Sequence, residues 1–198
     1  MNTHDIVGEA DLYGGVNADL TTDRFNKPNS AISLTNGYYK LPPRVYFNSS
    51  YSFLAWVKLK QITLWSRILE VSNGAPNDNL LFALNEAING GISVDNYDGL
   101  TIIVHAFSSI KFTINEWQHV AFVLNFPNFY LYLDGKQVYT TTAIKVPNNV
   151  IRTVNYVGRS SFYPYDADAN ADLDELKIFN RGLTESELLF EMNNNIIL

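Results

Sequence analysis

Short runs of β-forming residues, separated by Asn, Gly, Pro and Asp, recur along most of this 198-residue chain. The run 52–59 has apolar residues at both alternating positions at its centre, which indicates a strand buried on two faces. The remaining runs are also predicted as strands, with turns between them. They are 67–71, 80–84, 91–94, 100–107, 117–124, 129–133, 136–141, 151–157 and 172–179.

The clearest local signal is the dipeptide Asp134-Gly135, which stands between the runs 129–133 and 136–141. Both central residues of a type I′ turn need a positive φ, and Asp-Gly is a common pair at these positions. The sequence therefore predicts a tight β-hairpin here.

Helix signals are confined to the C-terminal end. Thr184 and Glu187 have the spacing of a capping box, and a short apolar face follows them. Because strands do not alternate with helices, we expect an all-β fold: a two-sheet antiparallel β-sandwich (jelly roll) with one short C-terminal helix. We expect a single domain over residues 1–198, with a loop-like N-terminal segment 1–25 that wraps the edge of the sandwich.

The composition supports a folded domain and excludes several functional classes. Aromatic residues make up 14% and charged residues only 17% of the chain, against about 25% charged in typical proteins. The formal net charge of −6 argues against a nucleic-acid partner. No apolar run approaches the roughly 20 residues of a membrane span, and no signal peptide is visible at the start. Cysteine is absent, which removes thiol catalysis and Cys-ligated metal sites.

Four segments, in this order, resemble the concanavalin A-like sandwich of the laminin G-like and pentraxin-like families. They are a leading loop (21–31), the strand 52–59 (SFLAWVKL), the stretch 117–123 with the later 131–135, and 157–159 followed by 173–184. The leading loop has Asn26 where these families commonly have Gly, and Asn tolerates positive φ. The resemblance spans about residues 21 to 190 and is more specific for fold than for function.

The resemblance also implies a calcium ion. In modules of this kind, an aspartate of the leading loop and the aspartate that heads the last core strand meet around one calcium, and the matching positions are Asp23 and Asp174. Oxygen-bearing side chains suit this ion, so Asn29 and Asp172 complete the predicted ligands. The alternative is that these are solvated turn residues, or that Asp174 accepts hydrogen bonds from the leading loop without a metal.

Glycoside hydrolysis is the enzymatic alternative. Laminarinase-like members of this broad fold carry a Glu-x-Asp-x-x-Glu motif that supplies the nucleophile and the acid. The similar stretch here begins with Asp172 and has Lys177 at the position of the acid, so a leaving group lacks its proton donor. We therefore expect no catalytic residues.

Two other kinds of site are not expected. A sialidase needs clustered arginines, whereas those of this chain are scattered, and we expect Arg159 and Arg181 to pair with Glu175 or Asp174. The three histidines share no ligand spacing, so a zinc site is not predicted.

Ligand recognition is assigned to loops, because sugar binding pairs an aromatic platform with amide and carboxylate groups. The segment 160–166 fits this description best, and 77–79 and 95–98 are second candidates. The alternative is that Phe162 and Tyr163 fold back into a small loop core. The predicted ligand-binding residues are Tyr163, Tyr165, Asp166, Asn96, Tyr97 and Asn77.

These observations predict a non-catalytic recognition module that binds carbohydrate or mediates adhesion, with a structural calcium, in a larger extracellular or cell-surface protein. The expected partner is a carbohydrate or glycoprotein ligand, or a protein. Nucleic-acid binding and membrane insertion are not expected. The alternatives are a protein–protein interaction or structural domain that uses a sheet face, and a glycosidase-related enzyme.

Overall fold

The computed structural model describes residues 3–5, 7–86 and 90–194. This part of the chain forms twelve β-strands and one α-helix, and all strand pairs are antiparallel. The strands are β1 (Tyr13–Thr21), β2 (Ala31–Lys40), β3 (Tyr51–Leu59), β4 (Arg67–Ser72), β5 (Leu80–Ala83), β6 (Ser93–Asp98), β7 (Thr101–Phe107), β8 (Trp117–Asn125), β9 (Asn128–Leu133), β10 (Lys136–Thr142), β11 (Val154–Val157) and β12 (Ala169–Phe179). The helix is α1 (Glu185–Asn193).

Backbone hydrogen bonds join the strands in the order β10-β9-β8-β3-β12-β2-β11-β4-β5-β6-β7, with β1 beside β2. This ladder divides into two layers at β2. Leu34, in the first half of β2, lies opposite Ala171 of β12, whereas Tyr39, near its end, lies opposite Val157 of β11. The first sheet therefore contains β10, β9, β8, β3, β12 and the start of β2. The second contains the end of β2, β11, β4, β5, β6 and β7.

The change of partner coincides with the dipeptide Asn36-Gly37 inside β2. Asn36 has a φ of 49°, in the left-handed region. A Cβ atom on Gly37 would lie 2.2 Å from the carbonyl oxygen of Asn17 and 2.5 Å from that of Val16, both in β1. The backbone of β1 thus occupies the space of a side chain, and this position requires glycine.

The core lies between the two sheets and is rich in aromatic rings. The ring centroid of Phe82 in β5 lies 4.9 Å from that of Phe53 in β3 and 5.0 Å from that of Phe122 in β8. All three side chains are buried. Since β5 belongs to the second sheet and the other two strands to the first, these contacts confirm the predicted sandwich.

The helix α1 covers one end of the outer face of the first sheet. Leu188 of the helix and the preceding Leu183 form a buried cluster with Leu54, Ala121 and Tyr132 of that sheet. No helix in residues 3–5, 7–86 and 90–194 is long and apolar enough to cross a membrane.

Two local predictions are confirmed. The hydroxyl of Thr184 accepts a hydrogen bond from the backbone N–H of Glu187 at 3.3 Å, and the carboxylate of Glu187 accepts one from the N–H of Thr184 at 2.8 Å. This reciprocal pair is a capping box. In the hairpin between β9 and β10, Asp134 and Gly135 have φ values of 49° and 75°.

The N-terminal segment differs from the prediction. Residues 13–21 form β1 and pair with β2, so a loop-like segment 1–25 is wrong for this stretch. The strand β2 was not predicted either, since Asn36-Gly37 is typical of a turn. Here the dipeptide bends a continuous strand.

Replacing Phe82 with Ala tests the core. Loss of a ring that packs on both sheets is expected to cost about 3–5 kcal/mol of unfolding free energy. At roughly 2–4 °C per kcal/mol for this size, the melting midpoint falls by about 6–20 °C. Thermal unfolding measures the shift. The control Phe190→Ala removes a ring that is 64% exposed and is expected to change stability by only about 0.5 kcal/mol. Equal losses of unfolding free energy in both variants would contradict the placement of Phe82 in the core between the two sheets.

Candidate functional site

The outer face of the second sheet carries polar and aromatic side chains. In β4, Leu69 and Val71 belong to the core, so the intervening Glu70 lies on the outer face. Glu70 is paired with Tyr156 on one side and Leu81 on the other. Residues opposite each other on neighbouring strands project to the same side, which places these three side chains on one surface.

Residues 158–168, here called the tyrosine loop, connect β11 to β12 and lie against β4. Gly158 starts the loop with a φ of 89°, and its N–H donates to the carbonyl of Ile68 at 3.2 Å. A Cβ atom at this position would lie 2.6 Å from the carbonyl oxygen of Gly37. The close approach of the loop to β2 therefore requires glycine here.

Arg67 holds the far end of the tyrosine loop. Its Nη2 lies 2.7 Å from Oδ2 of Asp166, and its Nε lies 3.1 Å from Oε2 of Glu70. The hydroxyl of Ser160 donates to the same Asp166 oxygen at 2.8 Å. Because the side chains of Arg67 and Glu70 are buried, these charge-assisted contacts are well shielded from water.

Glu70 fixes the beginning of the loop. Its Oε1 accepts hydrogen bonds from the backbone N–H of Ser161 at 2.8 Å and from the side-chain amide of Asn79 at 3.0 Å. The hydroxyl of Ser161 donates to the same oxygen. A completely buried carboxylate is thus supplied with both a cation and several donors.

Arg159 contacts two tyrosine rings. Its Nε and Nη2 donate to the two carboxylate oxygens of Asp168 at 2.8 and 2.6 Å, a bidentate pair. Its guanidinium carbon lies 3.7 Å from the ring centroid of Tyr38 and 4.1 Å from that of Tyr163. The hydrogen bonds to Asp168 raise the pKa of Arg159. The guanidinium therefore holds Tyr163 in place from one side.

The loop leaves two aromatic rings open to solvent. Tyr163 is 54% exposed and Tyr165 is 88% exposed. The predicted alternative is a small loop core formed by Phe162 and Tyr163. Phe162 is partly buried, but a core would also bury the ring of Tyr163, which is exposed.

The structure brings four of the six predicted ligand residues to one region. Tyr163, Tyr165 and Asp166 share the tyrosine loop. Tyr97 lies on the same outer face, and burial raises its pKa, with opposing effects from the nearby charges of Arg67 and Asp95. Asp166 anchors the loop, as its carboxylate is bound by Arg67 and Ser160.

The other two predicted ligand residues lie elsewhere. Asn96 is fully buried, and its amide donates to the hydroxyl of Tyr51 in the core at 2.6 Å, so its assignment to a ligand site is wrong. Its parity in β6 directs it inward, opposite the core residue Leu80. Asn77 lies in the turn between β4 and β5, where its N–H donates to Gly74.

Sequence reasoning missed several residues of this region. Arg67, Glu70 and Tyr38 were not assigned to it, and Arg159 was expected to pair with Glu175 or Asp174. Arg159 binds Asp168, nine residues further along the chain, and Arg181 binds Glu187 at 2.8 Å, so both expected pairings are wrong. The charged residues inside the apolar run of β4 were the available signal, since buried charges in strands require partners.

Two of the predicted calcium residues, Asp174 and Asp172, lie on the outer face of the first sheet, where side-chain cations contact them. Nη1 of Arg24 lies 2.7 Å from Oδ2 of Asp174, and its Nη2 lies 2.9 Å from Oε1 of Glu175. A register shift in β12 and a φ of 48° at Glu175 bring the two carboxylates to one guanidinium. Burial raises the pKa of Asp174, and the charge of Arg24 opposes this rise.

Two of the remaining calcium candidates, Asp172 and Asp23, also have protein partners. Oδ1 of Asp172 lies 3.0 Å from Nζ of Lys60. Oδ1 of Asp23 accepts hydrogen bonds from the backbone N–H groups of Phe25 and Lys27 at 2.8 and 2.9 Å, which closes a turn of the leading loop. Asn29 lies in the same loop with a φ of 56°.

These residues do not fit a calcium site. Arg24 and Lys60 already neutralise Asp174 and Asp172, and a divalent ion would have to displace them. Within the described ranges, no three Asp, Glu or His side chains converge on a point where a metal could be held. Calcium binding by this chain stays a prediction, and the contacts around these residues do not favour it.

His119 lies beneath Arg24 and Trp56 on the same face. Its ring centroid is 5.3 Å from that of Trp56, over which Arg24 also lies at 4.7 Å. Burial, and secondarily the charges of Lys177 and Arg24, lowers the pKa of His119 to about 3. This ring is therefore a neutral, structural part of the sheet at physiological pH.

A shallow surface depression of about 410 Å³ lies beside α1, and none of its lining residues belongs to the tyrosine loop. Its carboxylate Glu187 is committed to the cap of α1 and to Arg181.

The sequence matches the family model of the concanavalin A-like lectin/glucanases superfamily over residues 33–189. A comparison with curated protein sequences gives no significant match.

Similar solved structures include domain 4 of AbnA, an extracellular arabinanase from Geobacillus stearothermophilus in complex with arabinotriose. It is 19% identical, with a TM-score of 0.74 over 96% of this chain and 92% of that one. The binding domain of Paraclostridial Mosquitocidal Protein 1 is 16% identical, with a TM-score of 0.72 over 96% of this chain and 49% of that one. A Trypanosoma rangeli sialidase in complex with sialic acid is 14% identical, with a TM-score of 0.60 over 91% and 29%. The chain spans half or less of the last two, and these identities show the fold alone.

The buried His119 makes stability depend on pH. Its folded pKa of about 3 lies below the usual 6.5, so only the unfolded chain gains a proton between these values, and stability falls as pH falls through this window. Relative to His119→Gln, we expect the unfolding free energy of the wild type to drop by roughly 2–3 kcal/mol from pH 7 to pH 4.5. Urea unfolding at a series of pH values measures this.

His105→Gln is the matched control. The hydrogen bond to Asp95 raises the pKa of His105, so its contribution is present at low pH and is lost as pH rises. The two variants should therefore deviate from the wild type in opposite directions. A parallel pH dependence in wild type and His119→Gln would contradict the buried neutral ring.

Proposed function

The chain belongs to the concanavalin A-like lectin/glucanase superfamily, and on that premise we propose that it is a non-catalytic carbohydrate-binding module. The observation that carries this proposal is the pair of exposed rings, Tyr163 and Tyr165, on a loop fixed at several points. Aromatic rings bind the apolar face of a sugar, and a hydroxyl on the ring adds a hydrogen-bonding group.

Tyr163 is the central platform of the proposed site. One side of its ring rests on the guanidinium of Arg159, and about half of the side chain faces solvent. Tyr165 projects beyond it and provides a second contact for an oligosaccharide. Tyr97, on the sheet beside the loop, supplies a hydroxyl to the same surface.

A binding role is supported by the state of the carboxylates on β12. Asp172 and Asp174 are ion-paired with Lys60 and Arg24, and Lys177 is paired with Glu175. A glycosidase needs one free carboxylate as nucleophile or base and one protonated acid. This set provides neither arrangement.

The relatives support the ligand class and the location. The arabinanase domain holds arabinotriose and comes from an extracellular enzyme, and two other similar structures are the binding domains of a mosquitocidal protein and of botulinum neurotoxin serotype D. We extend this to the present chain as a carbohydrate-binding or adhesion module of a larger extracellular or cell-surface protein.

A protein partner is the second candidate function, because β7 exposes apolar side chains. Leu100, which precedes β7, is 72% exposed, and Ile102 and Phe107 in the strand are 42% and 39% exposed. Exposed apolar groups on one edge strand are typical of protein interaction surfaces. Variants of these residues that abolish partner capture, while variants of the tyrosine loop do not, would favour this function.

Tyr163→Ala and Tyr165→Ala test the carbohydrate proposal. Each variant is expected to weaken binding of an oligosaccharide by about 2- to 13-fold, the equivalent of 0.5–1.5 kcal/mol for one aromatic contact. A glycan array identifies the oligosaccharide, and titration calorimetry measures its affinity. The control Phe190→Ala, at an exposed ring on α1 beside the first sheet, should leave affinity unchanged. Undiminished binding by both loop variants would contradict the proposed site.

Thermal unfolding in calcium and in chelator tests the metal. A calcium ion at 100 times its dissociation constant raises the midpoint by about 5–11 °C for a chain of this size. Because Arg24 and Lys60 occupy the predicted ligands, we expect the two midpoints to coincide. A shift of the stated size that disappears in Asp174→Asn would restore the predicted site. A shift that persists in that variant would place the ion elsewhere.

A further inference from the structure

We propose that the tyrosine loop selects neutral sugars and rejects sugars that carry a carboxylate, because the arginines at the loop are already bound to carboxylates of the protein. This inference rests on the proposed function and defines its ligand class. It follows from the ion pairs beneath and beside the two exposed rings.

The charges at the loop are all paired. Arg159 binds Asp168 through two nitrogens, and Arg67 binds both Asp166 and Glu70. Two guanidiniums thus face three carboxylates, and these five groups sum to −1. The surface beneath an incoming sugar is therefore weakly negative, in a chain whose formal net charge is −6.

The two arginines differ in how far a ligand carboxylate can approach them. Arg67 is 2% exposed and lies under the loop. The side chain of Arg159 is 19% exposed, and its Nε and Nη2 donate to Asp168. A sialic or uronic acid at Arg159 would have to share a guanidinium whose charge a bidentate aspartate already neutralises, so it would gain less than at an unpaired arginine.

The neighbouring strands place one ion pair and one lysine near the rings. On the β6–β7 side, Asp95 pairs with His105 at 2.5 Å, which keeps this part of the face acidic or neutral. On the other side, Lys40 lies in β2, two residues past Tyr38 and opposite Tyr156. Its exposed ammonium could attract a ligand carboxylate, so the experiment below includes a variant of Lys40.

The experiment uses an array of matched glycans on the full 198-residue chain. Each pair has a neutral member and the same glycan with a carboxylate: N-acetyllactosamine with its sialylated form, and methyl-esterified with free oligogalacturonate. We expect neutral members to bind and acidic partners to bind at least about 10-fold more weakly. Raising the salt concentration should leave neutral binding almost unchanged, since no ligand charge is screened.

Asp168→Asn and Lys40→Gln locate the cause. Asp168→Asn removes the negative charge from Arg159, so the acidic member of each pair should gain at least about 3-fold relative to the neutral one. Lys40→Gln should leave the ratio at its wild-type value. If Asp168→Asn does not fold, the ratio measured on the wild-type chain still tests the inference.

Each outcome decides between the proposals. Acidic members that bind as well as their neutral partners, or an unchanged ratio in a folded Asp168→Asn, would overturn the inference and leave carbohydrate binding intact. Loss of acidic binding in Lys40→Gln would also overturn it, since Lys40 would then receive the carboxylate. Failure to bind any glycan of either kind would overturn the proposed function itself.

Discussion

The bend of β2 at Asn36-Gly37 is the constraint on which the two-layer architecture depends. A single hydrogen-bonded ladder becomes a sandwich because one strand begins in the first sheet and ends in the second. The backbone of β1 lies against Gly37, in the space that a side chain would fill. Glycine at this position therefore lets β2 bend and lets β1 pair beside it. Tyr38 follows directly after the bend, and its ring supports Arg159 on the outer face of the second sheet. The position of the tyrosine loop therefore depends in part on Gly37, a residue far from that loop in the sequence.

Arginine–carboxylate pairs then fasten a loop to each outer face of this cysteine-free chain. Arg24 joins the leading loop to Asp174 and Glu175 on the first sheet, and Arg67 joins the tyrosine loop to Glu70 on the second. Buried pairs of this kind add little net stability compared with apolar packing, but breaking one partner is costly because the other charge stays buried. Their effect is thus mainly to fix where each loop lies. The two faces differ in what the loops leave exposed: α1 and the leading loop cover the first, whereas the tyrosine loop presents rings on the second.

The sequence predicted the fold where local chemistry and topology agree. The Asp134-Gly135 hairpin, the Thr184–Glu187 cap and the all-β sandwich follow from turn chemistry, capping and strand patterning. The strands β1 and β2 were not predicted, because Gly14-Gly15 and Asn36-Gly37 are typical of turns. Only the pairing of β1 with β2 shows that these dipeptides lie inside strands. For the site, the aromatic loop residues were predicted correctly as exposed. Asn96 was predicted to face a ligand, but side chains alternate along β6 and that of Asn96 faces the core. The pairing of Arg67, Arg24 and Arg159 depends on contacts up to 151 residues apart, which local patterns do not contain.

The position of Tyr163 against Arg159 has a consequence for how a ligand would be held. The ring is ordered before any ligand arrives, since the guanidinium and its aspartate hold it from behind. The protein therefore loses little conformational entropy on association, and most of that loss falls on the ligand. In the proposed binding mode, a stiff glycan chain would lose less conformational freedom on this surface than a flexible one.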